Sequence, residues 1–337
     1  MIRRTLLWVS LVLSSAMMGG TLMAEQVAQL GKIERLDPAF DQLIERSAVI
    51  ELLARDKFEW SEGPIWDAAN HRLLFSDIPR NMIWEWSAAG GLKKFLQPSG
   101  YTGSAPFTGR EPGSNGLTFN KAGELILCQH GDRRIARLSG GKFVTLADNY
   151  QGKRLNSPND LVIKSNGDIY FTDPPYGLPK AADDPAKELE FQGVYRLNSR
   201  GELTLLTREL SRPNGLAFSP DERTLYVANS DPDQAIVMAY AVTDDGTLGA
   251  GTVFFDATKA AQEKKPGLPD GMKVSRDGTV WATAPGGVLV YSAAGKHLGT
   301  LATGVPTANL AFGEDGSTLY ITADKNLVRV RTKVKGW

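Results

Sequence analysis

The chain has 337 residues, 38 Lys and Arg against 38 Asp and Glu, 42% hydrophobic residues, 35 Gly, 18 Pro and a single Cys. These counts exclude a disordered, collagenous or disulfide-stapled chain. The zero formal charge removes the basic surplus by which nucleic acid or an anionic membrane is recognised. The chain opens with Arg3 and Arg4, an apolar run from Leu6 to Leu13, and small and apolar residues up to Ala24, ahead of Glu25. That layout is a secretory signal peptide over 1–24, with a run too short and too interrupted by Ser14, Ser15, Gly19 and Gly20 for a membrane anchor. It predicts a secreted or periplasmic protein, free of the membrane once cleaved. Residues 25–46 then form an N-terminal extension and 47–337 the folded domain.

Beyond the extension one unit recurs six times: an Asn, Asp or Glu, a short apolar strand, a Gly/Asp turn and a second apolar strand. The copies open at Glu62, Asn115, Asn159, Asn214, Asp270 and Asn309, spaced 39 to 56 residues apart. Within each, apolar residues alternate or run for four or five positions between Gly, Pro, Asn and Asp, with no sustained helical period. Six units of about four strands each specify an all-β, six-bladed β-propeller. After Asn309 only three strands fit, at 310–312, 318–322 and 327–331, so the sixth blade needs an N-terminal strand from 48–53 to close the ring and hide its edge. Cys128 sits in an alternating strand, where a buried thiol is expected. Trp60, Trp66, Trp84 and Trp281 read as core between blades, with Trp60 near enough to Glu62 to border a pocket. Insertions at 98–112 and 176–191 read as long loops, a common place for function.

Singly, each Asn-Gly or Pro-Asp-Gly is an ordinary turn former. Six oxygen-bearing side chains at one register predict a ring at one mouth of the channel, where the two carboxylates would repel unless a cation lies between them. Carboxylate and amide oxygens select a hard divalent ion with loose coordination, Ca2+ first, with Mg2+, Mn2+ or Zn2+ as alternatives. The three His, at 71, 130 and 297, form no zinc motif. No Gly-x-Ser-x-Gly elbow and no phosphate-cradling loop occur, so serine-hydrolase and nucleotide chemistry find no support.

Ser61-Glu62-Gly63-Pro64, Asn156-Ser157-Pro158-Asn159-Asp160, Arg212-Pro213-Asn214-Gly215 and Leu268-Pro269-Asp270-Gly271, in that order, resemble the SMP-30/gluconolactonase (regucalcin-like) family. Pro98–Gly103, Cys128–Arg134 and Phe171–Gly177 resemble its bacterial gluconolactonase branch. The resemblance implies a propeller that holds a divalent cation and hydrolyses sugar lactones such as glucono-1,5-lactone to gluconate. It implies Glu62, Asn159, Asn214 and Asp270 as metal ligands, Asp270 also as acid/base, and Asn115 beside the metal. Asn115 and Asn159 are also expected to contact substrate. Animal relatives place a substrate-binding Arg where this chain has Ser157. Tyr101, Arg154, Asp173 and Tyr176 are candidates to replace it, and His130 is a candidate proton carrier or hydroxyl donor at the same mouth.

Independently of the family, lactone hydrolysis needs a polarised carbonyl, a water nucleophile and a proton for the departing ring oxygen. A metal with a positioned carboxylate supplies these. The alternatives are another lactone or ester, an organophosphate included, and a non-enzymatic binding propeller with a structural ion.

Overall fold

Strands of two to nine residues separated by Gly, Asn and Asp turns fold into antiparallel sheets, and in the computed structural model, which describes residues 27–336, each repeat becomes one blade. The leader expected at 1–24 lies outside the described residues. The first blade runs outward from Ser61–Asp67 through Arg72–Asp77 and Met82–Ser87 to Gly91–Leu96. The inner strands of the next five are Ser114–Phe119, Leu161–Ile163, Pro213–Phe218, Met272–Val274 and Asn309–Gly313. The result is the six-bladed all-β propeller that the repeats specify, and among the described residues no helix is long and apolar enough to cross a membrane.

Closure follows the strand count. The sixth blade takes Asn309–Gly313, Thr318–Ala323 and Asn326–Arg331 from the end of the chain and Glu51–Ala54 from its beginning. Glu51 faces Arg329 and Leu52 faces Val328, and a salt bridge of 2.7 Å from Arg329 to Glu51 holds the register. A second strand from the same end, Lys32–Arg35, adds a fifth strand to the fifth blade by pairing with His297–Ala302. Its composition hides it, because Lys32, Glu34 and Arg35 leave one apolar residue in four; charged residues of this kind protect a sheet edge. Phe40, Leu43 and Ile44, just beyond, bury against Trp281, Leu298 and Leu310. The start of the chain is thus sewn into the fifth and sixth blades.

Apolar faces of neighbouring blades pack against each other. Trp281 is fully buried, Trp66 stacks on Tyr320 with centroids 5.6 Å apart, and Trp84 meets Phe58 edge-on. Cys128 is buried too, and burial pushes its thiol up.

The glycines after the ring positions have a reason other than turning. They lie in inner strands, where the next blade's backbone comes too close for a side chain. A Cβ at Gly215 would lie 2.2 Å from the carbonyl oxygen of Asp270, and one at Gly116 would lie 2.8 Å from Cα of Asp160. The close approach lets the inner strands bond directly, Gly116 N–H donating to Asn159 O and Gly271 N–H to Ala308 O, each at 2.8 Å. Gly215→Ala is therefore expected to cost about 1–3 kcal/mol in denaturant unfolding, the range for overpacking. Gly249→Ala, in the outer strand of the same blade with 3.7 Å of room, should stay within about 0.5 kcal/mol.

Candidate active site

The inner strands bring Glu62, Asn115, Asn159, Asn214 and Asp270 to one mouth of the channel, where they line a cavity of about 550 Å3, in the range for small-molecule sites. Asn309 departs from the ring. Gly271 leaves open the space that the Asn309 side chain occupies, so Asn309 turns below the cavity, where its Nδ2 donates to Asp160 Oδ2 at 3.3 Å. Asp160 replaces the glycine found after most ring residues and adds a third acid on the axis. It is buried, as Glu62 is, while Asp270 beside them is half-buried at the cavity.

Burial is the main reason the carboxyls resist ionisation. Glu62 is pushed up to about 8 by desolvation and then by Asp160; Asp270 is held well above the usual carboxylate range by burial, Glu62 and Asp160. Asp160 is raised by burial, with Lys273 opposing the shift. The Glu62 and Asp270 carboxyls lie within hydrogen-bond reach of each other. Gly63 N–H donates to Glu62 Oε2 at 2.6 Å, fixing that side chain.

The oxygens turned into the cavity lack donors. Asp270 Oδ1, Asn115 Oδ1 and Asn214 Oδ1 are buried without a hydrogen-bond partner. Buried polar groups are otherwise nearly always paired, so three such acceptors, one of them on Asp270, beside the Glu62 carboxyl fit a hard cation. Asn214 is held in that orientation: its Nδ2 donates to Ser230 Oγ at 3.0 Å, and Ser230 Oγ in turn donates to Pro269 O. Among the described residues no three His, Cys, Asp or Glu gather as a metal cluster, so the donor set relies on amides.

The other candidates separate. Tyr176 lines the cavity, its hydroxyl buried without a partner and raised by burial and by Asp270. Asp173 lies below the surface, accepting from the N–H groups of Asn156 and Ser157 at 2.8 and 2.9 Å, and its carboxyl is raised by burial to about 7. Ser157, in the place of the animal Arg, donates to Pro174 O and accepts from Gly177 N–H, and so anchors the loop that carries Tyr176. Tyr101 and Arg154 are not brought into the cavity. The Tyr101 ring packs on Phe107 while Asn81 holds its carbonyl; Arg154 sits exposed on a small outer hairpin, with its N–H on Glu188. His130 is buried behind the wall and reaches the cavity only through Glu111, 2.8 Å from its Nδ1.

Arg110, Glu111, Arg212 and Ser230 line the cavity without having been assigned a role from the sequence. The insertion at 98–112 gives a signal for the first two, and the Arg212-Pro213-Asn214-Gly215 motif gives one for Arg212. Ser230 has none. Arg110, Glu111, Tyr176 and Arg212 make one wall polar, while Trp60, Leu268 and Pro306 make the other apolar.

The fold and the site together define a six-bladed β-propeller with an oxygen-lined pocket at one mouth of its axis. A family model described as the SMP-30/Gluconolactonase/LRE-like region matches residues 60–325, and the chain belongs to that family. A gluconolactonase from Zymomonas mobilis is 41% identical over 313 residues, covering 91% of this chain and 88% of the relative. The solved structure of a gluconolactonase from Xanthomonas campestris superposes with a TM-score of 0.78 at 32% identity, covering 91% of this chain and 96% of that one. Regucalcin from Sus scrofa is 26% identical over 287 residues, covering 83% of this chain and 88% of the relative.

Because the folded protein holds protons that unfolded carboxyls release above their ordinary value near 4.5, its stability falls as pH rises from there to about 8. In chelator-treated protein the melting temperature is expected to drop across that window, and Glu62→Gln should remove much of the drop.

Proposed function

We propose that the protein is a divalent-cation-dependent lactonase that hydrolyses a sugar lactone, glucono-1,5-lactone first, to the open hydroxy acid. The observation that carries this is the set of partnerless acceptor oxygens, Asp270 Oδ1, Asn115 Oδ1 and Asn214 Oδ1, converging beside Glu62 at the floor of a pocket of small-molecule size. The 41% identical Zymomonas mobilis gluconolactonase supports the choice of reaction. Glu62, Asn159, Asn214 and Asp270 would hold a divalent cation, Ca2+ first by the hardness of these donors, and it would supply the positive charge that favours ionised carboxyls and a polarised lactone carbonyl.

The chain's own residues do the rest. The Asp270 carboxylate takes a proton from the attacking water, on the oxygen not given to the cation, as the water oxygen bonds to the carbonyl carbon, and returns that proton to the ring oxygen when the carbon–oxygen bond breaks. Glu62 balances charge, locked by Gly63 N–H. Asn115 and Asn159 present amides to the lactone, and Ser230 keeps Asn214 Oδ1 aimed inward. Trp60, Leu268 and Pro306 cover the apolar face of the ring and exclude water. A secreted or periplasmic location, from the leader at 1–24, belongs to the same proposal.

Proton release from glucono-1,5-lactone, measured against spontaneous hydrolysis, tests the reading. Chelation is expected to abolish turnover and Ca2+ to restore it. A folded, ion-loaded protein with no rate above background contradicts it. Asp270→Asn should lower kcat by at least about 100-fold, as for a lost acid/base, with the fold intact. Ser230→Ala should weaken cation binding by about 10- to 100-fold in titration calorimetry, the usual effect of losing the group that orients a ligand.

A further inference from the structure

Glu111 is the one carboxylate of the cavity lining that stands apart from Glu62 and Asp270, and its position is built rather than incidental. It comes from the end of the insertion at 98–112, and its side chain is 25% exposed toward the cavity. Behind it the imidazole of His130 has no exposure at all. Nδ1 of that ring lies 2.8 Å from Glu111 Oε2, and because a carboxylate only accepts, Nδ1 carries the hydrogen. His130 Nε2 is buried without a partner, so the ring has no other side-chain engagement. The backbone holds the pair: His130 N–H donates to Gly113 O at 3.1 Å, and Gly177 packs so close that a Cβ there would lie 3.2 Å from His130 Cβ. Among the described residues Glu111 Oε1 has no hydrogen-bond partner, and neither Arg110 nor Arg212 forms a salt bridge with Glu111, although both line the same cavity. One oxygen is anchored and the other is left to face the pocket.

The opposite wall of Trp60, Leu268 and Pro306 accepts any lactone ring and cannot distinguish a hydroxylated ring from a bare one. A fixed carboxylate oxygen can, since it binds a hydroxyl strongly and is left unsatisfied when the ring lacks one. We propose that Glu111 selects polyhydroxylated lactones by accepting a hydrogen bond from a ring hydroxyl at Oε1, and that His130 is a positioning residue that holds it there. This rests on the lactonase reading.

The test compares kcat/KM for glucono-1,5-lactone with that for unsubstituted δ-valerolactone, using the full chain supplied with Ca2+. In Glu111→Gln the ratio of the two is expected to fall by about 10- to 100-fold, the effect of losing a hydrogen bond to a charged group. His130→Leu should lower the ratio in the same direction, and adding it to Glu111→Gln should lower it little further, because both act through one oxygen. His130→Asn keeps an N–H for Glu111 and should retain most of the ratio, which a merely structural role would not predict. A ratio within about threefold of the parent's in a folded Glu111→Gln protein overturns the proposal while leaving the lactonase reading intact. A parent that hydrolyses neither lactone overturns both. If His130→Leu fails to fold, Glu111→Gln and His130→Asn still decide.

Discussion

Three carboxyl groups crowd around one axis, and the rest of the site is arranged about the repulsion among them. Glu62 and Asp160 are buried and Asp270 is half-buried with its Oδ1 enclosed, and each raises the proton affinity of a neighbour or has its own raised by burial. In a medium that solvates charge poorly, such groups stay neutral or acquire a counter-charge. Lys273 meets part of that need for Asp160, and Asn309 gives Asp160 a hydrogen bond. Glu62 and Asp270 have amide oxygens for neighbours instead, which adds to the negative potential at the mouth. Such a concentration of acceptor oxygens favours a cation, and in the proposed reaction the same crowding raises the basicity of Asp270.

What forces these side chains together is the narrowness of the propeller axis. Glycines at 63, 116 and 215 allow adjoining inner strands to approach until backbone meets backbone, and Gly271 makes room for the Asn309 side chain. Closing the ring with Glu51–Ala54, and bracing it with Lys32–Arg35, fixes the circumference. A rigid scaffold holds the ligand oxygens in place before any ion or substrate arrives, which is the condition for electrostatic stabilisation. The longer loops, carrying Arg110, Glu111 and Tyr176, then determine what the pocket admits.

Much of this is legible in the sequence because repetition amplifies weak signals. One Asn-Gly is uninformative, whereas six acidic or amide residues at one register give blade number, channel mouth and five of the cavity-lining oxygens. Strand counting likewise reveals the closing strand near 48–53. Other features escape for definite reasons. Lys32–Arg35 is too polar and too short to stand out. The inward turn of Asn309 depends on the space left by Gly271, a relation between separate blades. Glu111 and Arg212 belong to no repeat, and whether an inserted loop turns over the mouth is decided by tertiary contacts such as those of Ser157 with Pro174 and Gly177. His130 was within reach as a residue, yet its action through Glu111 was not, since nothing in the spacing of 111 and 130 indicates that they touch.

The central claim, a divalent cation seated among the axial oxygens, is tested most directly by anomalous diffraction from crystals grown with Mn2+. A single anomalous peak enclosed by Glu62, Asn159, Asn214 and Asp270 is the predicted result. An ordered site with no peak there, at a concentration that saturates binding in solution, would contradict the account.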